Sequence, residues 1–145
     1  MNIEIKALQV ADRAAWEPLA RGYKLFYDTA TSEAEYAAAW RRLLHDPRFL
    51  GLAAWRGGTM VGIVHALFHA STWADEVCYL QDLFVAEGAR KLGLGRALIE
   101  AVYREAQAAG ASRVYWNTHE TNATARALYD TLADRPGFIQ YRKVL

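Results

Sequence analysis

The sequence predicts a mixed α/β chain, with one sheet and helices packed on it. Three observations carry that prediction. Alternating apolar and polar residues mark strands through the first half. Helical spacing with capping residues marks two helices early and two late. The order, strands in a run and then strand–helix–strand–helix–strand, is that of helices laid on a mixed sheet. With 145 residues, 53% of them hydrophobic, the chain can bury a full core, and residues 1–145 are expected to form a single domain.

Ile3 to Leu8 alternates and reads as the first strand. Asp12 is placed to cap a helix through Trp16, Leu19, Ala20, Tyr23 and Tyr27. Ser32, with Glu35 three residues on, forms a capping box that opens a second helix toward Leu44, and Pro47 ends it. Phe49 to Trp55 and Met60 to Ala70 read as strands joined by the hairpin signal Gly57-Gly58. Trp73 to Asp75 turns into the strand Val77 to Val85. A helix from Leu94 to Ala109 carries Ala97, Leu98, Ala101 and Val102 on one face, and Gly110 closes it. Arg113 to Thr118 is β-rich, Asn122 starts a helix to about Ala133, and Gly137 to Val144 reads as a closing strand.

Charge and composition exclude several function classes. Lys plus Arg is 17 and Asp plus Glu is 16, a net charge of +1, which argues against a nucleic-acid partner. The one cysteine, Cys78, leaves no internal disulfide possible and reads as a small buried hydrophobe. No apolar run approaches the roughly 20 residues a membrane helix needs, so no membrane partner is expected. The opening residues lack a basic region followed by an apolar one, so no signal peptide is expected and a cytoplasmic enzyme is the default. His65 and His69 share one face of their strand but lack a third ligand at metal-binding spacing, so no metal is expected.

The run from Val85 to Arg96 carries the chemistry. It joins a strand to a helix through Gly93 and Gly95, which allow positive φ and close approach of a ligand to the backbone. The free N–H groups of the first helical turn and the helix dipole favour an anion there. Arg90 and Arg96 bracket the loop with cationic forks suited to phosphate oxygens. The dinucleotide and Walker glycine patterns are both missing, so the ligand is a phosphate or pyrophosphate of another kind.

Arg90-Lys91-Leu92-Gly93-Leu94-Gly95 resembles the acetyl-CoA loop of the GNAT N-acetyltransferase superfamily, Arg/Gln-x-x-Gly-x-Gly/Ala. Leu80 to Val85 resembles that superfamily's fourth strand. Tyr115 to Tyr129 resembles its fifth strand and fourth helix, and Pro136 to Tyr141 its closing strand. Gly22-Tyr-Lys-Leu-Phe-Tyr27 resembles the first helix of a subgroup of small yeast acetyltransferases of the histone and amino-acid kind. The resemblance implies a GNAT-type α/β (α+β) fold: a mixed, mostly antiparallel sheet with a splayed parallel strand pair and about four helices. It departs at Lys91, where glycine is common, and at Leu92, where Lys or Gln is common; both glycines remain.

The resemblance further implies an acetyl-CoA-dependent N-acetyltransferase, releasing CoA after direct attack by a primary amine in a ternary complex. No cysteine or serine stands beside a plausible base in these motifs, which argues against an acyl-enzyme. In the family the thioester carbonyl meets a backbone N–H around Leu83, Phe84 and Val85; the alternative for these side chains is core packing. The cofactor set is then Leu83, Phe84, Val85, Arg90, Lys91, Leu92, Gly93, Leu94, Gly95, Arg96, Asn122, Ala125 and Tyr129. Asn122, Ala125 and Tyr129 line one helix face. Tyr129 is the candidate general acid for the leaving thiolate; the alternative is an aromatic packed beside Leu128 and Leu132, and Asn122 is alternatively a helix cap.

Candidates for the base are Asp82, His119 and Glu120. Related enzymes acting on polyamines carry Glu-Asp where this chain has Gln81-Asp82, and an amide does not take up a proton. Strand alternation would place Tyr79 and Gln81 on one face and Asp82 on the other. Histidine is the side chain whose ordinary pKa lies nearest neutrality. Tyr23, Tyr27, Gln81 and Glu120 are expected to shape the acceptor's entry. Small amine, amino acid and protein lysine all remain open as acceptors. A non-catalytic acyl-CoA-binding or sensor domain is the alternative function, and a nucleotide-binding regulator the third. The closing strand would leave an exposed edge, so a homodimer is expected.

Overall fold

Local signals and tertiary packing agree over most of the chain. The computed structural model describes residues 2–145, and Met1 lies outside the described residues. Five strands follow sequence order across one sheet: β1 (Ile3–Ala7), β2 (Phe49–Arg56), β3 (Thr59–His69), β4 (Val77–Val85) and β5 (Val114–Tyr115). Every neighbouring pair is antiparallel except β4 with β5, which is parallel. The helices are α1 (Arg13–Phe26), α2 (Glu33–His45), α3 (Leu94–Ala108) and α4 (Ala123–Tyr129).

The period-two pattern of the strands sorts side chains to two apolar layers. On one face Leu98, Ile99 and Val102 of α3 pack over Val64, Ala66, Cys78 and Leu80, with Leu128 and Tyr129 of α4 at the margin. On the other, Trp16 and Leu19 of α1 and Trp40 and Leu43 of α2 pack over Ala53 and Ile63.

The capping box forms as its sequence predicts: Ser32 Oγ accepts from the Glu35 N–H at 3.1 Å, and the Ser32 N–H donates to Glu35 Oε1 at 3.0 Å. Ser32→Ala is expected to cost about 1 kcal/mol, read as a lower denaturation midpoint with an unchanged m-value. Asp46 ends α2 in an extended conformation, as a residue before proline must.

Four expectations need correction. Asp12 does not cap α1 with its side chain; it accepts from the Gln9 N–H at 2.7 Å and closes a 3-10 turn first. β5 is two residues long rather than six, because the chain leaves β4 after Tyr115. The α4 helix ends at Tyr129 and continues as hydrogen-bonded turns through Ala133. Residues 134–145 form no strand. A strand needs a ladder to join, and β5 offers only two residues. Gly137, at φ 93°, turns the chain just before Phe138, and the segment beyond it is exposed. Among the described residues no helix is long and apolar enough to cross a membrane.

Candidate active site

The site is built where β4 and β5 part. Their parallel ladder pairs only Cys78 with Val114 and Tyr79 with Tyr115. Beyond Tyr79, β4 runs on for six residues beside no strand on that side among the described residues. The Cys78 N–H donates to the Arg113 carbonyl at 3.0 Å, while the Ala86 N–H donates back to the Val61 carbonyl of β3 at 2.9 Å. Backbone groups alternate along a strand, so the N–H groups of Leu83 and Val85 face away from β3, into the opening. Arg90 Nε donates to the Val85 carbonyl at 3.2 Å, which shows the same orientation. The side chains of Leu83 and Val85 pack into the α3 layer and that of Phe84 into the α1 layer.

A bulge reverses the expected facing of Asp82. His65 pairs with Asp82, but the next residue, Ala66, pairs with Leu80, leaving Gln81 as an extra residue on β4. Alternation therefore resets. Asp82 lies on the α1 side, within reach of His65 and Tyr23, on the face that also carries Tyr79. Gln81 is exposed.

The loop holds the glycine geometry its sequence predicts. Gly93 stands at the N-cap of α3 with φ 77°, and Lys91 also has positive φ, 68°. A Cβ on Gly95 would lie 3.3 Å from Leu128 Cδ2, so that glycine is where α3 and α4 come close. The first-turn N–H groups of α3 have no carbonyl one turn back to bond. Leu94 is buried and contributes backbone only, whereas Lys91 and Leu92 are exposed. Arg90 lies 5.6 Å from the Phe84 ring centroid, and Arg96 Nη2 donates to Thr131 Oγ1 at 2.7 Å. Each guanidinium keeps further N–H donors.

Across the opening, α4 presents Tyr129, which meets Trp116 edge-on at 5.4 Å between ring centroids. Burial first, then the nearby Tyr27, raises the Tyr129 phenol above its ordinary value, so it stays protonated through neutral pH. Asn122 caps α4, its side chain accepting from the Ala125 N–H at 3.5 Å.

On the α1 side, Tyr23 and Tyr27 lie close to the Asp82 carboxylate. Tyr23 and Tyr27 lie 4.8 Å apart, Tyr79 stacks on Tyr115 at 4.9 Å, and His119 lies 5.7 Å from Tyr27. Burial opposes ionisation of Asp82. Hydrogen bonds donated by His65 and Tyr23 and the nearby Lys24 more than offset this, so its carboxyl lies below the usual value. Burial, then the charge of Asp82, pushes up Tyr23 and Tyr27. His119 and Glu120 are exposed, and the Glu120 carbonyl accepts from Arg126 Nη1 at 2.6 Å. Cys78 is no nucleophile: burial, then Glu76, pushes its thiol up to about 11.

The strand–loop–helix unit with its parted parallel strands has a counterpart among known proteins. Residues 14–133 match the model of the acetyltransferase (GNAT) family. This chain belongs to that family. GNAT membership makes it an enzyme of the N-acetyltransferase class. It is 34% identical to the D-amino-acid N-acetyltransferase HPA3 of Saccharomyces cerevisiae over 98% of this chain and 91% of that protein. It is 27% identical to a thialysine N-epsilon-acetyltransferase of Caenorhabditis elegans over 74% of this chain and 67% of that protein. The GNAT fold recurs in the solved structure of AAC(6')-Iy bound to the bisubstrate analog CoA-S-monomethyl-acetylneamine, at a TM-score of 0.86 and 19% identity with both chains fully covered.

Sequence reasoning missed His65, Trp16, Tyr79 and Tyr115. His65 had a signal: it stands in a strand between buried Ile63, Val64 and Ala66. A polar residue in such a run needs a partner. The bulge at Gln81 had none.

Proposed function

We propose that residues 1–145, acting as one domain, transfer an acetyl group from acetyl-CoA to the primary amine of a small molecule by direct attack in a ternary complex. One observation carries this reading. The parted strands leave the Leu83 and Val85 N–H groups facing an opening that has the glycine-led start of α3 at one end and Asp82 within reach on the α1 side.

The residues fit the cofactor. The first-turn N–H groups of α3, with Arg90, Lys91 and Arg96, would hold the pyrophosphate, and Leu92 and Leu94 shape the loop between them. Asn122 and Ala125 line the α4 side. Acetyl-CoA would supply the acetyl group, whose transfer from sulfur to the amine nitrogen would break the C–S bond, form the C–N bond and leave a thiolate that must take up a proton. The Leu83 and Val85 N–H groups are fixed dipoles for the charge that develops on the carbonyl oxygen. Tyr129 donates the proton to sulfur, and the proton shed by the amide nitrogen restores the phenol. Asp82 holds the incoming ammonium. Its depressed pKa makes it an anchor rather than a base, so the ammonium proton leaves through water at the mouth, where His119, Glu120 and Gln81 are exposed.

Tyr23 and Tyr27 flank the anchor and suit a cation. The names of the relatives, which include a D-amino-acid and a thialysine acetyltransferase, support amino acids as the first acceptors to try. The decisive experiment is titration with acetyl-CoA, CoA and ATP, followed by an acetylation screen over D- and L-amino acids, diamines, aminoglycosides and peptide lysines. Binding of acetyl-CoA with turnover of one amine class supports the reading. Binding without any turnover favours a sensor domain.

Asp82→Asn is expected to raise the amine KM and leave acetyl-CoA affinity unchanged. A depressed carboxyl contributes above its depressed value and is lost as pH falls through it. The parent's anchor should therefore persist from about pH 8 to about pH 5. An amine KM that climbs through that window as Asp82 protonates contradicts the assignment.

We also propose a homodimer through residues 138–145. Phe138, Ile139, Tyr141 and Val144 are each at least 76% exposed, an apolar run that a second copy of the chain would cover. Light scattering should give a dimer mass that becomes monomeric when residues 138–145 are deleted. A parent monomer at micromolar concentration contradicts the dimer.

A further inference from the structure

A polar chain runs from α1 through β3 to β4 beneath the acceptor patch, and two of its members have no role so far. Trp16, only 1% exposed, donates from Nε1 to His65 Nε2 at 2.9 Å. An indole N–H can only donate, so Nε2 must accept and the imidazole proton sits on Nδ1. Nδ1–H then donates to Asp82 Oδ2 at 3.0 Å. Trp16 is itself held against Trp40, with ring centroids 4.9 Å apart, so the donor cannot easily swing away. The Tyr23 hydroxyl addresses the same carboxylate from α1.

The tautomer has a consequence for charge. An imidazolium beside Asp82 would neutralise it and compete with any substrate cation. A ring held as an acceptor by Trp16 orients the carboxylate through one N–H and leaves its negative charge for the ligand. A carboxylate accepts about four hydrogen bonds, so His65 and Tyr23 leave capacity for an ammonium.

We propose that Trp16 and His65 are positioning residues that fix the orientation and the net charge of Asp82, so that it receives a monocationic acceptor amine. This rests on the acetyltransferase reading above. The pair touches neither substrate nor cofactor and acts only through Asp82. Its reach is the amine site and not the cofactor loop, because Trp16 and His65 lie in the α1 side of the sheet while Gly93 leads a helix on the other face.

Steady-state kinetics with amine and acetyl-CoA varied separately tests this. His65→Ala and His65→Gln should raise the amine KM by about ten- to a hundredfold, the loss of a hydrogen bond to a charged group. The acetyl-CoA KM should stay within about twofold, since the pair is remote from that loop. His65→Asn places an amide N–H near the position of Nδ1 and should recover most of the loss, whereas Gln reaches toward Nε2 and should not. Trp16→Phe keeps a ring in the layer but removes the donor, and should also raise the amine KM. An unchanged amine KM in His65→Ala overturns the proposal. So does a parallel rise in both KM values, or failure of His65→Asn to recover activity in a protein that still binds acetyl-CoA. A parent that binds acetyl-CoA and acetylates no amine overturns the acetyltransferase reading and this one with it.

Discussion

Gly93→Asp is expected to abolish acetyl-CoA binding while the fold persists. Gly93 is the N-cap of α3 at φ 77°, and a Cβ there would meet nothing within 4 Å. The substitution therefore costs backbone strain of about 1–2 kcal/mol, and aspartate is among the residues that tolerate this region. Its carboxylate would sit where the proposed site would hold the pyrophosphate. Two like charges about 4 Å apart repel by about 1 to 4 kcal/mol between bulk water and a protein surface, roughly a five- to a thousandfold loss per pair. Gly93→Ala separates the causes, since it brings the strain without the charge and should keep most of the affinity. Gly95→Asp is the less clean variant, because its Cβ would press Leu128 and disturb α4 as well. Calorimetric titration with CoA reads all three. Parent-like affinity in Gly93→Asp would move the anion site elsewhere.

Tyr129→Phe is expected to lower kcat by roughly ten- to a thousandfold with little change in CoA affinity, as for the loss of one acid. The phenylalanine ring keeps the edge contact with Trp116 and the packing beside Leu128 and Leu132, so stability should barely move. Because burial raises the parent phenol, its loss of a proton lies above the ordinary value of about 10. The parent's kcat should therefore hold on the alkaline side through pH 9. Turnover unchanged by Tyr129→Phe, with a substrate whose chemistry limits the rate, would leave Tyr129 as a packing residue.

The backbone geometry of the glycine loop was legible because its determinants are local. Positive φ at Gly93, an open first turn on α3 and flanking arginines are properties of a few consecutive residues. The Ser32–Glu35 box and the Gly57-Gly58 hairpin were legible for the same reason. Asp82 was named as a candidate but assigned to the wrong face. Strict alternation gives the facing of a strand only when its ladder is regular, and Gln81 is an extra residue that only pairing with β3 reveals. The closing strand failed for a related reason. Residues 138–145 have a β-like composition, but a strand exists only against a partner, and the two residues of β5 do not provide one.

By itself, then, the sequence determined the order of elements as far as the last helix, the family, the glycine-led start of α3 and the placement of Tyr129 on the last helix, all properties of residues near one another in the chain. Tertiary structure alone decided which groups converge on Asp82. Trp16, His65 and Asp82 are separated by 49 and 17 residues along the chain, yet form one hydrogen-bonded series. Their meeting depends on helix packing, strand register and one bulge, and none of these leaves a local trace in the residues themselves.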